Sequence, residues 1–435
     1  MFGALAAQHI SDTHGRRRTF LVAAIGFLLG IAVMVLSNSY GLLLLGRLFV
    51  GVGVGVGLAI DPLYIAEMTP AKHRGELVTW SELALNVGIV FGFSTGLILK
   101  PIPDDREWRY MFLLGAILPL VMIVLVLTVM PESPRWLVQK NREQEAKQIL
   151  ERIYPDGFNV DPVIGDIKEA LEREEAAEKA VGWNVLFKPS PAFRRMLLVG
   201  VGTAVAQQAV GIDAIQYYLL DVLDESGIKS ETKQSLILIF LGILKLIFIV
   251  VGGKLFDKKG RRPLFLISLG GMAGALLMVS LAFFVKSDAS TGFTVFGLAL
   301  YLSFFSVGMG PGAWLIPSEV FATCIRAKAM SLATTLNRAT STLMSSTFLS
   351  TANAMGWGGF FLMLCFICIA VAGFIYSFLP ETNGRSLEEM SVYFGDITND
   401  TSILAAEAKI LERRGAHTPP HFQPLPSQVA NSELL

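Results

Sequence analysis

Residues 12–36 read DTHGRRRTFLVAAIGFLLGIAVMVL, a short charged motif followed at once by a continuous apolar segment. The apolar part reaches about 18 residues, the length at which a helix can cross the hydrocarbon core of a bilayer. The same arrangement returns in residues 257–281, DKKGRRPLFLISLGGMAGALLMVSL. The two segments predict two membrane-spanning helices, each entered from a charged loop.

The composition of the whole chain agrees with a membrane protein. Of its 435 residues, 53% are apolar and 17% are charged, whereas soluble proteins average roughly 45–50% and 25%. The formal net charge is zero, which gives no support for nucleic-acid binding. The three cysteines fit neither a disulfide framework nor a known metal spacing. We therefore expect no enzyme activity, metal, cofactor or nucleic-acid partner.

Ten apolar segments are long enough to cross a lipid bilayer as helices. They cover residues 19–37, 40–69, 76–99, 110–130, 193–222, 233–256, 263–286, 291–322, 328–352 and 355–379. Lys and Arg in the short loops lie mostly on the side of Arg16 and Arg261, which the positive-inside rule assigns to the cytosol. We thus expect an integral, multi-pass protein, in the plasma membrane rather than an internal membrane, with a cytosolic C-terminus.

Three polar signatures occur twice in the same order, about 250 residues apart. Asp12 with Arg16 recurs as Asp257 with Arg261, Glu67 with Arg74 recurs as Glu319 with Arg326, and Glu132 recurs as Glu381. The matches predict two homologous halves, as in many secondary transporters. Because the second half has more spans than the first, the repeat also predicts one and a half helices before residue 1.

The repeat divides the chain into four regions. They are an incomplete first bundle, 1–134; a helical linker on the cytosolic side, 135–190; a second bundle, 191–380; and a largely disordered cytosolic tail, 381–435. The repeated charges lie at helix ends, where they can form a gating network that joins the halves in one state and breaks in another. The alternative is that they only anchor helix ends at the headgroups. The predicted network consists of Asp12, Arg16, Glu67, Arg74, Glu132, Arg135, Asp257, Arg261, Glu319, Arg326 and Glu381.

Four ionisable residues lie inside apolar spans, namely Glu82, Asp213, Lys245 and Arg338. Such residues cost roughly 2.5–3.5 kcal/mol to insert into a bilayer, so they face a polar interior. One interpretation is a salt-bridge set that fixes helix contacts. The other, which we favour, is a cavity whose donors and acceptors match the hydroxyls of a polyol.

Neighbouring polar and aromatic residues favour the cavity. Gln207 and Gln208 each offer hydrogen-bond donors and acceptors to vicinal hydroxyls. Trp314 follows the glycine- and proline-rich run 308–312, which can bend or open a helix at mid-membrane. Its ring offers a flat apolar face to a sugar, although a lone membrane Trp is more often an interfacial anchor.

These motifs resemble those of the sugar porter family of the major facilitator superfamily, over residues 2–390. They are Asp12-x-x-Gly15-Arg16-Arg17, Pro62-x-Tyr64-x-x-Glu67, Pro131-Glu132-Ser133-Pro134-Arg135, Gln207-Gln208-x-x-Gly211, Gly310-Pro311-x-x-Trp314 and Pro380-Glu381-Thr382. The resemblance implies an all-α polytopic fold of two pseudo-repeated helix bundles around a central sugar site. It also implies that 135–190 is an intracellular helical domain.

A finer resemblance, to plant-type polyol and monosaccharide proton symporters, rests on the residue types at Glu82, Asp213, Lys245 and Arg338. It implies a substrate site made of Glu82, Gln207, Gln208, Asp213, Lys245, Gly310, Trp314, Asn337 and Arg338. It further implies that Arg47 takes part in proton coupling, as the partner of an acidic residue on a preceding helix.

The function expected from these features is secondary active transport of a small sugar or polyol by alternating access, coupled to protons. Three alternatives stay open at this point. The chain could be a facilitative hexose uniporter, a sugar sensor that does not transport, or an inactive truncated carrier.

Overall fold

The computed structural model describes residues 2–69, 74–99, 107–155, 157–180, 184–285, 289–322, 324–385, 387–400 and 402–403. Within these ranges the chain forms helices and no strands. Each of the ten predicted spans coincides with helical structure, although three of them are interrupted. The all-α class expected from the sequence is therefore confirmed.

The first half contains six helices. They are α1 (Phe2–His14), α2 (Arg16–Leu36), α3 (Tyr40–Met68), α4 (Arg74–Leu99), α5 (Glu107–Gly115) and α6 (Ile117–Thr128). The predicted span 110–130 is not one helix, because the backbone is interrupted at Ala116 between α5 and α6. Helices α2 and α3 pack closely, since a Cβ at Gly30 would lie 2.7 Å from the Gly46 carbonyl oxygen.

Four helices form the linker between the halves. They are α7 (Pro134–Gln139), α8 (Glu143–Ile153), α9 (Asp161–Ala180) and α10 (Asn184–Phe187). Ser133 caps α7 by accepting a hydrogen bond from the Trp136 backbone N–H, and Pro134 occupies the first turn, where a missing N–H costs nothing. Trp136, Leu150 and Ile164 belong to a small hydrophobic core of the linker's own.

The second half is built from longer and more interrupted helices. They are α11 (Pro191–Ala209), α12 (Ile212–Tyr217), α13 (Leu219–Glu225), α14 (Glu231–Lys259), α15 (Arg261–Val285), α16 (Ser290–Phe304), α17 (Gly310–Val320), α18 (Arg326–Met355) and α19 (Trp357–Phe378). A π-helical turn, Phe305–Met309, joins α16 to α17.

The predicted span 193–222 is wrong as a single helix. Gly211 has φ +89°, a left-handed conformation that glycine adopts without a steric penalty, and it separates α11 from α12. A second break at Tyr218 separates α12 from α13. At the run 308–312, the helix widens into the π turn and continues as α17 instead of opening.

Eight helical segments are long and apolar enough to cross a membrane, among the described residues. Two further helices, α4 and α18, also lie where spans were predicted, and Leu83–Leu99 is an apolar part of α4. Many large apolar side chains, including Leu29, Val124, Phe240, Leu281 and Phe366, are exposed on the outside of the bundle. A bilayer would cover such side chains, because they are as apolar as lipid tails.

The halves meet where α4 packs against α14. A Cβ at Gly242 on α14 would lie 2.7 Å from Cγ2 of Val90 on α4, so the absence of a side chain there permits the close approach. After α19, a last helix, α20 (Leu387–Thr398), packs against α11 and α17 and buries Met390 and Phe394. This helix differs from the largely disordered tail expected for 381–435, of which 404–435 lie outside the described residues.

Candidate functional site

The last turn of α11 places Gln207 at the centre of a buried polar cluster. The Gln207 Nε2 donates to the Gly310 carbonyl oxygen at 2.9 Å, and Asn337 Nδ2 donates to Gln207 Oε1 at 2.9 Å. Asn337 Nδ2 also donates to the Ala204 carbonyl oxygen, at 2.6 Å. The structure thus brings Gln207, Gly310 and Asn337 together, and their hydrogen bonds join α11, α17 and α18.

Gln208 is buried beside this cluster but faces another direction, since consecutive helical residues point about 100° apart. Its Oε1 is buried and makes no hydrogen bond within the described part of the chain. An unsatisfied buried acceptor costs about 1–3 kcal/mol. A ligand hydroxyl that donates to Gln208 would recover that free energy.

Two of the predicted ionisable residues form a pair. Arg338 Nη1 lies 3.7 Å from Asp213 Oδ2, and both side chains are partly exposed, at 31% and 23%. Ser341 donates its hydroxyl to the same Asp213 oxygen at 2.6 Å, and Arg338 Nε donates to Asn337 Oδ1 at 2.9 Å. The pair is therefore connected to the Gln207 cluster, and its charges compensate each other.

Lys245 contacts a residue that the sequence interpretation did not single out. Its Nζ donates to Gln216 Oε1 at 3.0 Å. Gln216 lies on α12, three residues after Asp213, and both residues belong to the apolar stretch that follows Gly211. That spacing on one short helix was the available signal, but only the contact with α14 shows where Gln216 points.

Three further predicted residues lie outside the hydrogen bonds described above for the polar cluster. Trp314 lies one turn after Gly310 on α17 and is partly exposed. Glu82 lies on α4, but its side chain is outside the described residues. Arg47, the predicted proton-coupling residue, is exposed on α3 and has no ion pair among the contacts of the described residues. Its role stays a prediction.

The first charged network surrounds the start of α2. The Arg16 guanidinium donates from Nε and Nη2 to the two carboxylate oxygens of Glu67, at 2.8 and 2.7 Å. Both side chains are almost fully buried, at 6% and 3% exposure. Arg16 Nη1 also lies 3.4 Å from Asp12 Oδ1. Burial raises the pKa of Asp12, and although the Arg16 charge lowers it, the pKa stays above its ordinary value. Such bidentate, buried pairs are among the stronger ones in proteins.

The second network repeats the first around the start of α15. The Arg261 guanidinium donates from Nη2 to Glu319 at 3.1 Å, and from Nη1 to Asn383. Thr382 donates its hydroxyl to the other Glu319 oxygen. At 13% and 23% exposure, the Arg261–Glu319 pair is more open to solvent than its counterpart.

A carboxylate caps a helix N-terminus in each network. Glu132 Oε1 accepts from the backbone N–H of Arg16 at 2.8 Å, and Glu381 Oε1 accepts from that of Arg261 at 2.9 Å. The preceding glycines, Gly15 and Gly260, have φ +93° and +84°. A Cβ on them would lie 2.3 Å from Glu132 Oε2 and 2.9 Å from Glu381 Oε2. The glycine of each motif is thus required both by the backbone conformation and by the carboxylate.

In each network, the described ion pairs join residues of the same half of the chain. Glu67 pairs with Arg16 and Glu319 with Arg261, whereas Arg326 donates to the Phe321 carbonyl oxygen. Arg135 and Arg326 have further interactions, and the side chains of Arg74 and Asp257 lie outside the described residues. The role of these residues as a gate between the halves stays a prediction.

Comparison with known proteins identifies the family of this chain. The family model described as Sugar (and other) transporter matches residues 1–394. Probable polyol transporter 4 of Arabidopsis thaliana is 36% identical over 418 residues, which cover 95% of this chain and 79% of that protein. The probable metabolite transport protein CsbC of Bacillus subtilis (strain 168) is 32% identical over 397 residues, 90% of this chain and 82% of that protein.

Solved structures support the same assignment. The inward open conformation of the xylose transporter XylE from E. coli is similar with a TM-score of 0.77 and 27% identity, over 90% of this chain and 86% of that one. The proton:xylose symporter XylE bound to 6-bromo-6-deoxy-D-glucose has a TM-score of 0.73 and 27% identity, over the same shares. The chain therefore belongs to the sugar (and other) transporter family of the major facilitator superfamily, and is an integral, multi-pass sugar transporter, not an enzyme.

Proposed function

We propose that this protein carries a polyol or a related monosaccharide across the membrane by alternating access, as a proton symporter. The observation that carries the proposal is the polar cluster of Gln207, Asn337, Asp213 and Arg338 inside an otherwise apolar bundle. Amides, a carboxylate and a guanidinium offer both donors and acceptors, which a molecule with a hydroxyl on every carbon requires. The similarity to polyol transporters of Arabidopsis thaliana supports the same class of substrate.

Alternating access is supported by the duplicated architecture. Two similar halves, each with a charged network at the same end, suit a carrier that rocks one half against the other. In this proposal residues 1–134 and 191–380 are the two moving bundles, 135–190 is the linker, and 381–435 is the tail. The charged ends and the C-terminus face the cytosol of a plasma-membrane protein, in line with the distribution of Lys and Arg.

The proposal is tested with the purified full chain in liposomes. We expect uptake of labelled sorbitol or inositol to rise when the outside is made acidic, and to fall when a protonophore removes the gradient. If neither treatment changes the uptake, the protein is a facilitative uniporter instead. Binding of these compounds without uptake would indicate a sensor and overturn the proposal.

A further inference from the structure

A small crevice lies between the two halves of the protein. Asn86 and Phe93 of α4 line it from the first half, and Gln216, Gly242 and Lys245 line it from the second. It offers about 10 Å³ to the centre of a water-sized group, which is room for about one such group. One hydroxyl has that size.

The packing of α4 on α14 fixes the place of this crevice. The tight contact between Gly242 and Val90 holds the two helices together at one level. Asn86 lies one turn before Val90 on α4, and Lys245 lies about one turn after Gly242 on α14. Because the helices run in opposite directions here, both polar residues lie on the same side of the contact.

The polar groups in the crevice are oriented by one hydrogen bond. An ammonium group only donates, so the Gln216 atom that faces Lys245 must be the carbonyl oxygen Oε1. The Gln216 amide nitrogen then keeps its two hydrogens for another acceptor. The Asn86 amide is the third polar group at the crevice, besides Gln216 and Lys245. The rest of the lining is apolar and consists of Ile89, Phe93, Leu219, Leu241, Gly242 and Leu302.

The short helix α12 links the crevice to the candidate substrate site. It carries Asp213, which contacts α18 through Ser341, and three residues later Gln216, which contacts α14 through Lys245. The Asp213–Arg338 pair and Lys245 are therefore held by residues that lie one turn apart on α12.

We propose that this crevice, the seam pocket, is a subsite for one terminal hydroxyl of the substrate, with Gln216 and Lys245 as specificity-determining residues. The inference rests on the proposed function and deepens it. A hydroxyl in the seam pocket bonds to both halves, since Asn86 belongs to one and Gln216 to the other. Substrates whose chain ends in a hydroxyl are then preferred over analogues that end in a methyl group.

The test compares sorbitol with its 1-deoxy and 6-deoxy analogues, which each lack one terminal hydroxyl. Binding is measured by calorimetry on the purified full chain, and uptake in liposomes. We expect the unaltered protein to bind at least one analogue roughly tenfold more weakly than sorbitol, because a buried polar group is left without a partner. In Gln216→Leu, sorbitol should weaken to the level of that analogue, so that the ratio of the two affinities approaches one.

Two controls keep the test decisive. Gln144→Leu, at an exposed position on α8, should leave the affinity ratio unchanged. Gln216→Asn keeps the amide but withdraws it by one methylene, and it should show an intermediate ratio; it serves as the test variant if Gln216→Leu does not insert. Full discrimination in both Gln216 variants, or none in the unaltered protein, would overturn the seam pocket. Absence of binding by sorbitol, inositol, xylose and glucose alike would overturn the proposed function together with it.

Discussion

Gly15 and Gly260 show how a single missing side chain organises each charged network. With φ near +90° and ψ of 163° and 160°, both occupy a region of conformational space that is almost exclusive to glycine. The space where a Cβ would lie is filled by the carboxylates of Glu132 and Glu381. At both positions, glycine therefore permits the positive φ and also leaves room for the carboxylate.

We expect Gly260→Ala to destabilise the protein and to slow transport. The backbone conformation alone costs about 1–3 kcal/mol for a residue with a Cβ, and the displaced Glu381 loses its bond to the Arg261 N–H. Gly356→Ala has a similar φ of +74° but open space around it, so it should show the strain without the clash. Gly270→Ala, in open space at ordinary φ, should be nearly neutral. Thermal unfolding in detergent should rank the three variants in this order, and equal melting of Gly260→Ala and Gly270→Ala would contradict the argument.

Residue types and spacing predicted part of the site. The apolar spans indicate Asp213, Arg338 and Gln207, and the family resemblance adds Asn337. The structure brings these four residues together. Gln216 was missed because the sequence does not show towards which neighbouring helix its side chain points. That orientation depends on the break at Gly211, after which α12 begins. The sequence predicts charged networks at the helix ends but not which acid each arginine pairs with, since a guanidinium can reach any acid at the same end of the bundle.

At the scale of elements, the π turn between α16 and α17 is held by a side chain from another helix. Ser268 on α15 donates its hydroxyl to the Phe304 carbonyl oxygen at 2.6 Å and accepts from the Met309 N–H at 3.2 Å. Phe304 directly precedes the widened turn, and Met309 is its last residue. Ser268 therefore connects both ends of the turn to α15.

Ser268→Ala should destabilise this turn and alter transport. It removes two hydrogen bonds to backbone groups, each of which contributes about 0.5–1.5 kcal/mol. Because Gly310 follows the turn directly and accepts from Gln207, we expect a lower substrate affinity as well as a lower melting temperature. Ser303→Ala removes a hydroxyl that bonds only within its own helix, so it is the matched control. A Ser268→Ala protein with unchanged affinity would show that the turn does not position Gly310.

The tail helix α20 is attached through the segment that follows it. Asp400 accepts from the Ala192 N–H at 3.1 Å, and Ser190 and Ser402 share a hydrogen bond of 2.6 Å. Burial raises the pKa of Asp400, but hydrogen bonds from Ser190, Ser402 and Ala192 outweigh it and lower that pKa to about 2. The ionised carboxylate therefore favours the docked segment.

Docking of the tail should depend on acid. Since the pKa of Asp400 is lower when docked than its ordinary value of 3.8, its contribution is complete above pH 4 and is lost as the pH falls towards 2. Hydrogen exchange of Leu387–Thr398 should reveal the loss of protection in that window. Asp400→Asn should weaken protection at neutral pH, whereas Asp396→Asn, at an exposed position, should not. Equal protection in both variants at neutral pH would refute this role of Asp400.

At the scale of the whole molecule, the contact between Gly242 and Val90 controls how closely the halves approach. We expect Gly242→Ala to hold them apart, because its Cβ would lie 2.7 Å from a methyl group of Val90. Adding Val90→Ala removes that methyl group and should restore the approach and the transport rate. Gly253→Ala, on the same helix in open space, is the control.

The separation of the halves can be measured by disulfide formation between two introduced cysteines. They replace Gly96 and Ser235, which face each other across the same pair of helices. Cross-linking should be slower in Gly242→Ala and recover in the double variant. A rate that is unaffected by Gly242→Ala would show that the halves do not meet through this contact.

The duplicated plan of the molecule could be predicted from the sequence because its signatures lie in loops, where motifs keep their spacing. The interruptions could not, because they depend on tertiary contacts. Gly211 breaks its span, while several other glycines in apolar spans, such as Gly88 and Gly274, do not interrupt α4 and α15. The difference lies in the backbone conformation, since Gly211 has a positive φ and the other two glycines do not. A glycine in the sequence permits a positive φ but does not require it.

The two halves share a plan but differ in the regularity of one helix. Glu67 ends an uninterrupted helix, α3, whereas Glu319, its counterpart, follows a segment with a π turn in its middle. One copy therefore runs as a single α-helix with Pro62 inside it, while the other widens at a defined place. In the proposed cycle the second copy deforms at this place, so the activation barriers for the outward and inward steps need not be equal. Unequal barriers change the rates of the two steps and leave the equilibrium distribution of the substrate unchanged.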